Sequence, residues 1–196
     1  LKIKNRGVGG VFWIPFIYSW GRAPVLFWTV LTGTLFLLGS ALTQSFEGYY
    51  GLRTLTGFTL TAGQTIGLAF IQDMFFFHEH AKKIGVWTAF FLASPYFGPL
   101  FGNFIVSGTG NWRNVYWMQF GLGCLELVLI VLLADETWYR RDIPQDQQPV
   151  KGSRLLRVLG IWQIRNHKQY YLTFYTSCRR MVVVLLKPII IPILIY

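Results

Sequence analysis

Arg53 and Glu126 are the charged side chains that interrupt long apolar stretches of this sequence. A charge in hydrocarbon costs about 2.5–3.5 kcal/mol on insertion scales, so each is by default a candidate for proton or ion chemistry. Arg53 lies one to two helical turns past Glu47, roughly 9 Å along a helix axis, and opens the string Arg53-Thr-Leu-Thr-Gly57-Phe-Thr-Leu-Thr-Ala-Gly63-Gln-Thr-Ile-Gly67. Two readings stand for it, a coupling charge and a side chain snorkelling to the outer headgroups. Glu126 falls near the middle of its own apolar run, at a depth that differs from that of Arg53. That offset leaves a direct ion pair open and makes a proton-accepting carboxyl the alternative.

Other polar groups follow the same pattern. Thr54, Thr56, Thr59, Thr61 and Gln64 either line a polar path or bond back to their own helix. Gly63 and Gly67, four apart, allow close helix approach. Ser94, Gly98 and Gly102 repeat that spacing, and Pro95 and Pro99 each remove a backbone donor, so this run reads as a hinge or as ordinary close packing. Gln64, Tyr96, Asn103 and Gln119 are candidates for a substrate path and equally for packing. His78-Glu79-His80 reads as a polar turn, because side chains two apart on a helix diverge and cannot share a metal. No metal site or cofactor motif is read, and no Walker, Gly-x-Ser-x-Gly or His-Glu-x-x-His string occurs, so an enzyme is not expected. Cys124 and Cys178 suggest no disulfide framework.

The elements that hold these groups follow from composition. Charged residues make up 13% of the 196 against 53% hydrophobic, too little charge to coat a water-facing surface. The net charge of +10 would suggest nucleic acid in a soluble chain, but here the basic residues are segregated from the apolar runs, as in a membrane protein. Four intervals reach the length that crosses a bilayer: Val25 to Thr43, Thr54 to Gln72, Ile84 to Trp112, and Val115 to Ala134. Two shorter ones, Gly7 to Gly21 and Met181 to Tyr196, read as parts of spans cut by the chain ends. Arg22, Lys82, Lys83 and the basic residues after Ala134 collect on one side, which is expected to be cytoplasmic. Lys2, Lys4 and Arg6 fall on the other side, against that rule.

Three regions are expected: residues 1–134, a partial transmembrane bundle; 135–180, a basic cytoplasmic linker; and 181–196, the start of a further transmembrane helix. Leu155, Leu156, Leu159, Trp162 and Ile164 alternate with Arg154, Arg157 and Arg165. The pattern suits an amphipathic helix on an anionic cytoplasmic leaflet, or a solvated linker whose charges set topology.

Taken in order, the strings resemble the major facilitator superfamily, in particular its fungal-type multidrug and general-substrate proton antiporters. Trp20-Gly21-Arg22-Ala23-Pro24 resembles the end of the loop motif between the second and third helices. Arg53 to Gly67, with Gly57, resembles the Arg-x-x-x-Gly motif of the fourth, and Gly98-Pro99-Leu100-Phe101-Gly102 the Gly-Pro-x-x-Gly antiporter motif of the fifth. Asn111-Trp112-Arg113 and Asp135-Glu136-Thr137-Trp138-Tyr139 are similar to signatures flanking the sixth. Tyr18 stands where the family usually has an acidic residue, and Ile14 where its first glycine is expected. Glu126 belongs to no matched motif. The resemblance implies an all-α membrane fold, with helices two to six of the N-terminal bundle, the central linker and the beginning of helix seven. It also implies proton coupling through the Arg53 motif, conformational roles for Gly21 and Arg22, and the bend associated with exporters at Gly98, Pro99 and Gly102.

The leading functional expectation is a secondary transporter that exports small organic solutes in exchange for protons by alternating access, present as an incomplete chain. Its partners would be the lipid bilayer, protons and the solute, with no nucleic acid. Its address would be the plasma membrane, or a vacuolar or other internal one. The alternative is a non-transporting membrane fragment or a regulatory or scaffold membrane protein; a membrane-embedded enzyme ranks last.

Overall fold

The computed structural model describes residues 2–137, 153–171 and 173–185, and all of the regular structure in them is helical. Five long helices come first: α1 (Lys2–Trp20), α2 (Arg22–Leu42), α3 (Phe46–Met74), α4 (His80–Thr109) and α5 (Arg113–Leu133). A 3-10 turn at Phe77–Glu79 precedes α4, and α6 (Arg154–Leu159), α7 (Ile161–Tyr170) and α8 (Phe174–Leu185) follow. Among the described residues, three helical stretches are long and apolar enough to cross a membrane: Arg22–Leu42, Phe77–Thr109 and Arg113–Leu133. Helix α3 has the length, at 29 residues, but its run of threonines, glycines and Gln64 makes it more polar than the spans on either side.

Helix α2 is the centre of the assembly. Against α1 and α3, Val25 packs with Ile17, Ala62 and Ile66. Against α5 and α6, Val30 packs with Ile130 and Val158. Leu37 and Ala41 pack with Tyr116 farther along. Close approach to α3 depends on Gly33, where a Cβ would stand 2.5 Å from Leu60 Cδ2. Helix α4 differs sharply, having no buried residue along its whole length. It runs without interruption through Pro95 and Pro99 and meets α3 near Trp87.

Segments expected on one side of a membrane do assemble at one end. Arg22 at the start of α2 pairs with Asp73 at the end of α3, and Glu136 beyond α5 reaches the first turn of α2. At the opposite end Arg113 donates to the Thr43 carbonyl, at 3.3 Å.

The linker departs from the single amphipathic helix expected. Gly160, at φ 89, breaks the run into α6 and α7, and a Cβ there would press on Pro24. Arg157 does not face outward with the other basic residues: it is buried and bonded to Asp135 at 2.8 Å. Leu155, Leu156, Leu159, Ile161 and Ile164 are exposed. The last helix among the described residues begins at Phe174, inside the stretch assigned to the linker, where Phe174 meets Phe16 of α1 edge-on and Thr173 accepts the first-turn bond from Ser177 N–H. Residues 138–152 and 186–196 lie outside the described ones, and with them the Pro/Gln-rich stretch, Trp138, Tyr139 and most of the final apolar run. Lys2, Lys4 and Arg6 fall within α1, their side chains outside the description.

Candidate functional site

A cavity of about 620 Å³ opens between α2, α3 and α5, with Ser94 of α4 at its margin. Arg53, Gly57, Thr61 and Gln64 line it from α3 at the spacing of one helical face, and Gln119, Gly123 and Glu126 do so from α5. Thr34 completes the wall from α2. Thus Arg53, Glu126, Gln64, Gln119 and Gly57, singled out from the sequence, come together. Tyr96 and Asn103 do not: both are exposed on α4, away from the cavity lining.

Arg53 and Glu126 share the cavity without an ion pair between them, among the described residues. Side chains on a helix lean toward its N-terminus, which carries Arg53 toward Tyr49. Its guanidinium lies 5.4 Å from the centroid of the Tyr116 ring. The Tyr116 hydroxyl in turn meets that of Tyr49 at 2.5 Å. Trp112 stands edge-on to both tyrosine rings, so Arg53 is held against an aromatic cluster anchored on α3 and α5.

The hydroxyls of the wall are already committed as donors. Thr34 donates to Val30 O at 2.8 Å, Thr54 to Tyr50 O at 3.0 Å, Thr56 to Leu52 O at 2.8 Å and Thr61 to Gly57 O at 2.6 Å. Both expectations for these threonines therefore hold together. They line the cavity and bond back to their helices, leaving oxygen lone pairs for anything inside.

A second polar cluster closes the basic end. Gly21, at φ 93, precedes α2 and has no side chain to cap it. Glu136 supplies the missing acceptor from a distant part of the chain, taking Arg22 N–H at 3.1 Å on Oε1 and Ala23 N–H at 3.3 Å on Oε2. Pro24 in the same turn has no N–H to satisfy. Buried Gln163 of α7 donates to Glu136 at 3.3 Å and to the Arg157 carbonyl at 2.8 Å. Asp73 accepts from Thr137 at 3.1 Å besides pairing with Arg22. Gly21 is necessary here because a Cβ would collide with the Glu136 carboxylate.

The remaining positions are unevenly placed. Gly67 faces Trp87, whose Nε1 would lie 2.9 Å from an added Cβ, and Gly102 lies near Val115 at 3.8 Å. Beside Gly57, Gly63 and Gly98 there is open space, and Pro99 is exposed. His80 bonds the Phe75 carbonyl through Nε2 at 2.8 Å, in a turn beside Lys83. Sequence reasoning passed over Asp73, Tyr49, Tyr116 and the capping role of Glu136. The available signal was the pair Asp73 and Glu136, acidic side chains among the basic residues of one side.

The profile of the family described as Major Facilitator Superfamily matches residues 6–195. The Candida maltosa cycloheximide resistance protein is 24% identical over 163 residues, which cover 81% of this chain and 29% of that protein. A bicyclomycin resistance protein homolog of Haemophilus influenzae is 28% identical over 66% of this chain and 32% of its own length. The Candida glabrata multidrug transporter FLR1 is 30% identical over 61% of this chain and 22% of its own. The chain thus spans less than a third of the length of these relatives. No solved structure matches it.

Proposed function

The chain belongs to the major facilitator superfamily, and on that premise we propose that it forms the solute-facing wall of a proton-coupled exporter of small organic molecules. It is an integral membrane protein of a transporter family, not of an enzyme class. The reading is carried by one observation: Arg53 and Glu126, the intramembrane charges, line the same cavity of about 620 Å³, a size suited to a drug-like solute. In this reading Arg53 and Glu126 handle the proton, and Gln64 and Gln119 contact the solute. Alternating access opens and closes the Arg22–Asp73 and Glu136 contacts at the cytoplasmic end. Gly98, Pro99 and Gly102 let α4 bend, and export is the direction the Gly-Pro motif suggests. The exposed leucines and isoleucines of α6 and α7, with Arg154 and Arg165 beside them, rest on an anionic cytoplasmic leaflet. The plasma membrane is the proposed address.

Names among the relatives supply the probes, cycloheximide and quinidine. In proteoliposomes under an imposed pH gradient this chain, less than a third of its relatives' length, is expected to bind the drugs without carrying them through a full cycle, with binding at least tenfold weaker in Arg53→Ala. Flux that follows the gradient and stops with a protonophore would overturn that expectation. Drug binding indifferent to Arg53→Ala, or no binding, would favour the second reading, a non-transporting membrane fragment or regulatory partner.

A further inference from the structure

A second cavity, of about 380 Å³, lies at the end opposite the Arg22–Asp73 pair, where the connection between α2 and α3 meets the start of α5. Its lining includes Thr43, Gln44 and Ser45 from the connection, Phe46 from α3, and Trp112 and Arg113 beside α5. Arg113 is the one charged group of that lining, and residues 43–45 and 110–112 carry no charge of either sign. Glu47, in the first turn of α3, is exposed and outside the lining.

Among the described residues Arg113 has no ion pair. It gives one N–H to the Thr43 carbonyl at 3.3 Å and lies 5.5 Å from the centroid of the Trp112 ring, while its Nε is buried without a hydrogen-bond partner. A guanidinium carries five N–H donors, and one partly withdrawn from water with donors unspent is stabilised by an anion that accepts several of them together.

Position selects the kind of anion. Thr43 follows the last residue of α2 and Arg113 is the first of α5, and both helices are long and apolar enough to span a bilayer. The cavity therefore sits where the spans leave hydrocarbon, at the depth of the headgroups. Phe46 and Trp112 are exposed beside it, as aromatic side chains are at a membrane interface. An anion found at that depth, with apolar surface to lay against two rings, is the phosphate of a phospholipid.

We propose that the cavity at Arg113 binds a phospholipid headgroup, with Arg113 pairing the phosphate and Phe46 and Trp112 packing on the apolar part below it. The site shares no residue with the solute cavity and stands apart from the transporter reading.

The test is lipid retention by the detergent-purified full chain, read by native mass spectrometry. The probes, added at equal mole fraction, are dioleoylphosphatidylglycerol and a dioleoylglycerol that carries a neutral sugar in place of the phosphate. The parent is expected to hold the phospholipid in preference to the sugar lipid. Arg113→Gln is expected to lower the occupancy of the most tightly held phospholipid at least threefold and to leave the sugar lipid unchanged; Arg113→Lys, which keeps the charge without the planar donors, recovers part of the loss. Gln44→Glu leaves Arg113 in place, sets a carboxylate beside it, and is expected to expel the same lipid. Helical circular dichroism reports folding, and if Arg113→Gln does not fold, Gln44→Glu decides. Equal retention of the two lipids by the parent, or a phospholipid occupancy untouched by both Arg113→Gln and Gln44→Glu, overturns the proposal. Displacement of the lipid by an equal concentration of glycerol phosphate, which has no acyl chains, overturns the choice of a lipid over a soluble anion.

Discussion

Helices α2 and α4 are both apolar enough to cross a bilayer, yet α2 is packed on several sides and α4 on almost none. The difference is not one of hydrophobicity. Small and branched residues of α2, among them Gly33, Thr34 and Ala41, let α3 and α5 approach closely, and the Glu136 carboxylate fixes its first turn. Helix α4 presents Phe90, Tyr96, Phe97 and Phe104 outward, and its small-residue face at Gly98 meets open space. In a membrane, where lipid is as apolar as a leucine side chain, packing detail and polar contacts decide which helix belongs to the rigid unit. Among the described residues, α2 is the best-packed long helix and α4 the least.

The sharpest way to break that contrast is Glu136→Ala. It strips the acceptor from the Arg22 and Ala23 amides and from Gln163, so stability in detergent is expected to fall by about 3 kcal/mol. Thermal unfolding should show this, with Glu136→Gln recovering part of the loss. A matched pair comes next. Gly33→Ala drives a methyl group onto Leu60 and is expected to cost about 1–2 kcal/mol despite the better helix propensity of alanine. The same change at Gly98 adds a methyl into open space, and stability should move by less than about 0.5 kcal/mol. If Gly98 serves the bend, Gly98→Ala changes drug binding in the proteoliposome assay while its melting curve stays that of the parent. Equal destabilisation by the two alanines would erase the distinction between the packed and the unpacked helix.

Much of the architecture could be read before any coordinates. The uncharged intervals foreshadowed the ends of α2, α4 and α5 to within four residues, since hydropathy and helix length are local properties of the chain. The convergence of Arg53, Gln64, Gln119 and Glu126 was partly legible, because each was conspicuous as a polar group inside an apolar run. What escaped was long-range. Arg157 looked like one more basic residue of an amphipathic face, and only the fold brings Asp135 to it and turns it inward. Tyr49 and Tyr116 were passed over, because their contact depends on the register between α3 and α5. Arg179 and Arg180 interrupt the apolar run from which a span was read beginning at Met181, and helix α8 carries both, starting at Phe174 where it docks on α1.

The carboxylate that finishes the first turn of α2 comes from a residue 114 positions later in the chain. During synthesis the Arg22 and Ala23 amides are left to water or headgroups until α5 has been made and Glu136 follows it, so the contact that completes the start of α2 is among the last of the five-helix run to form.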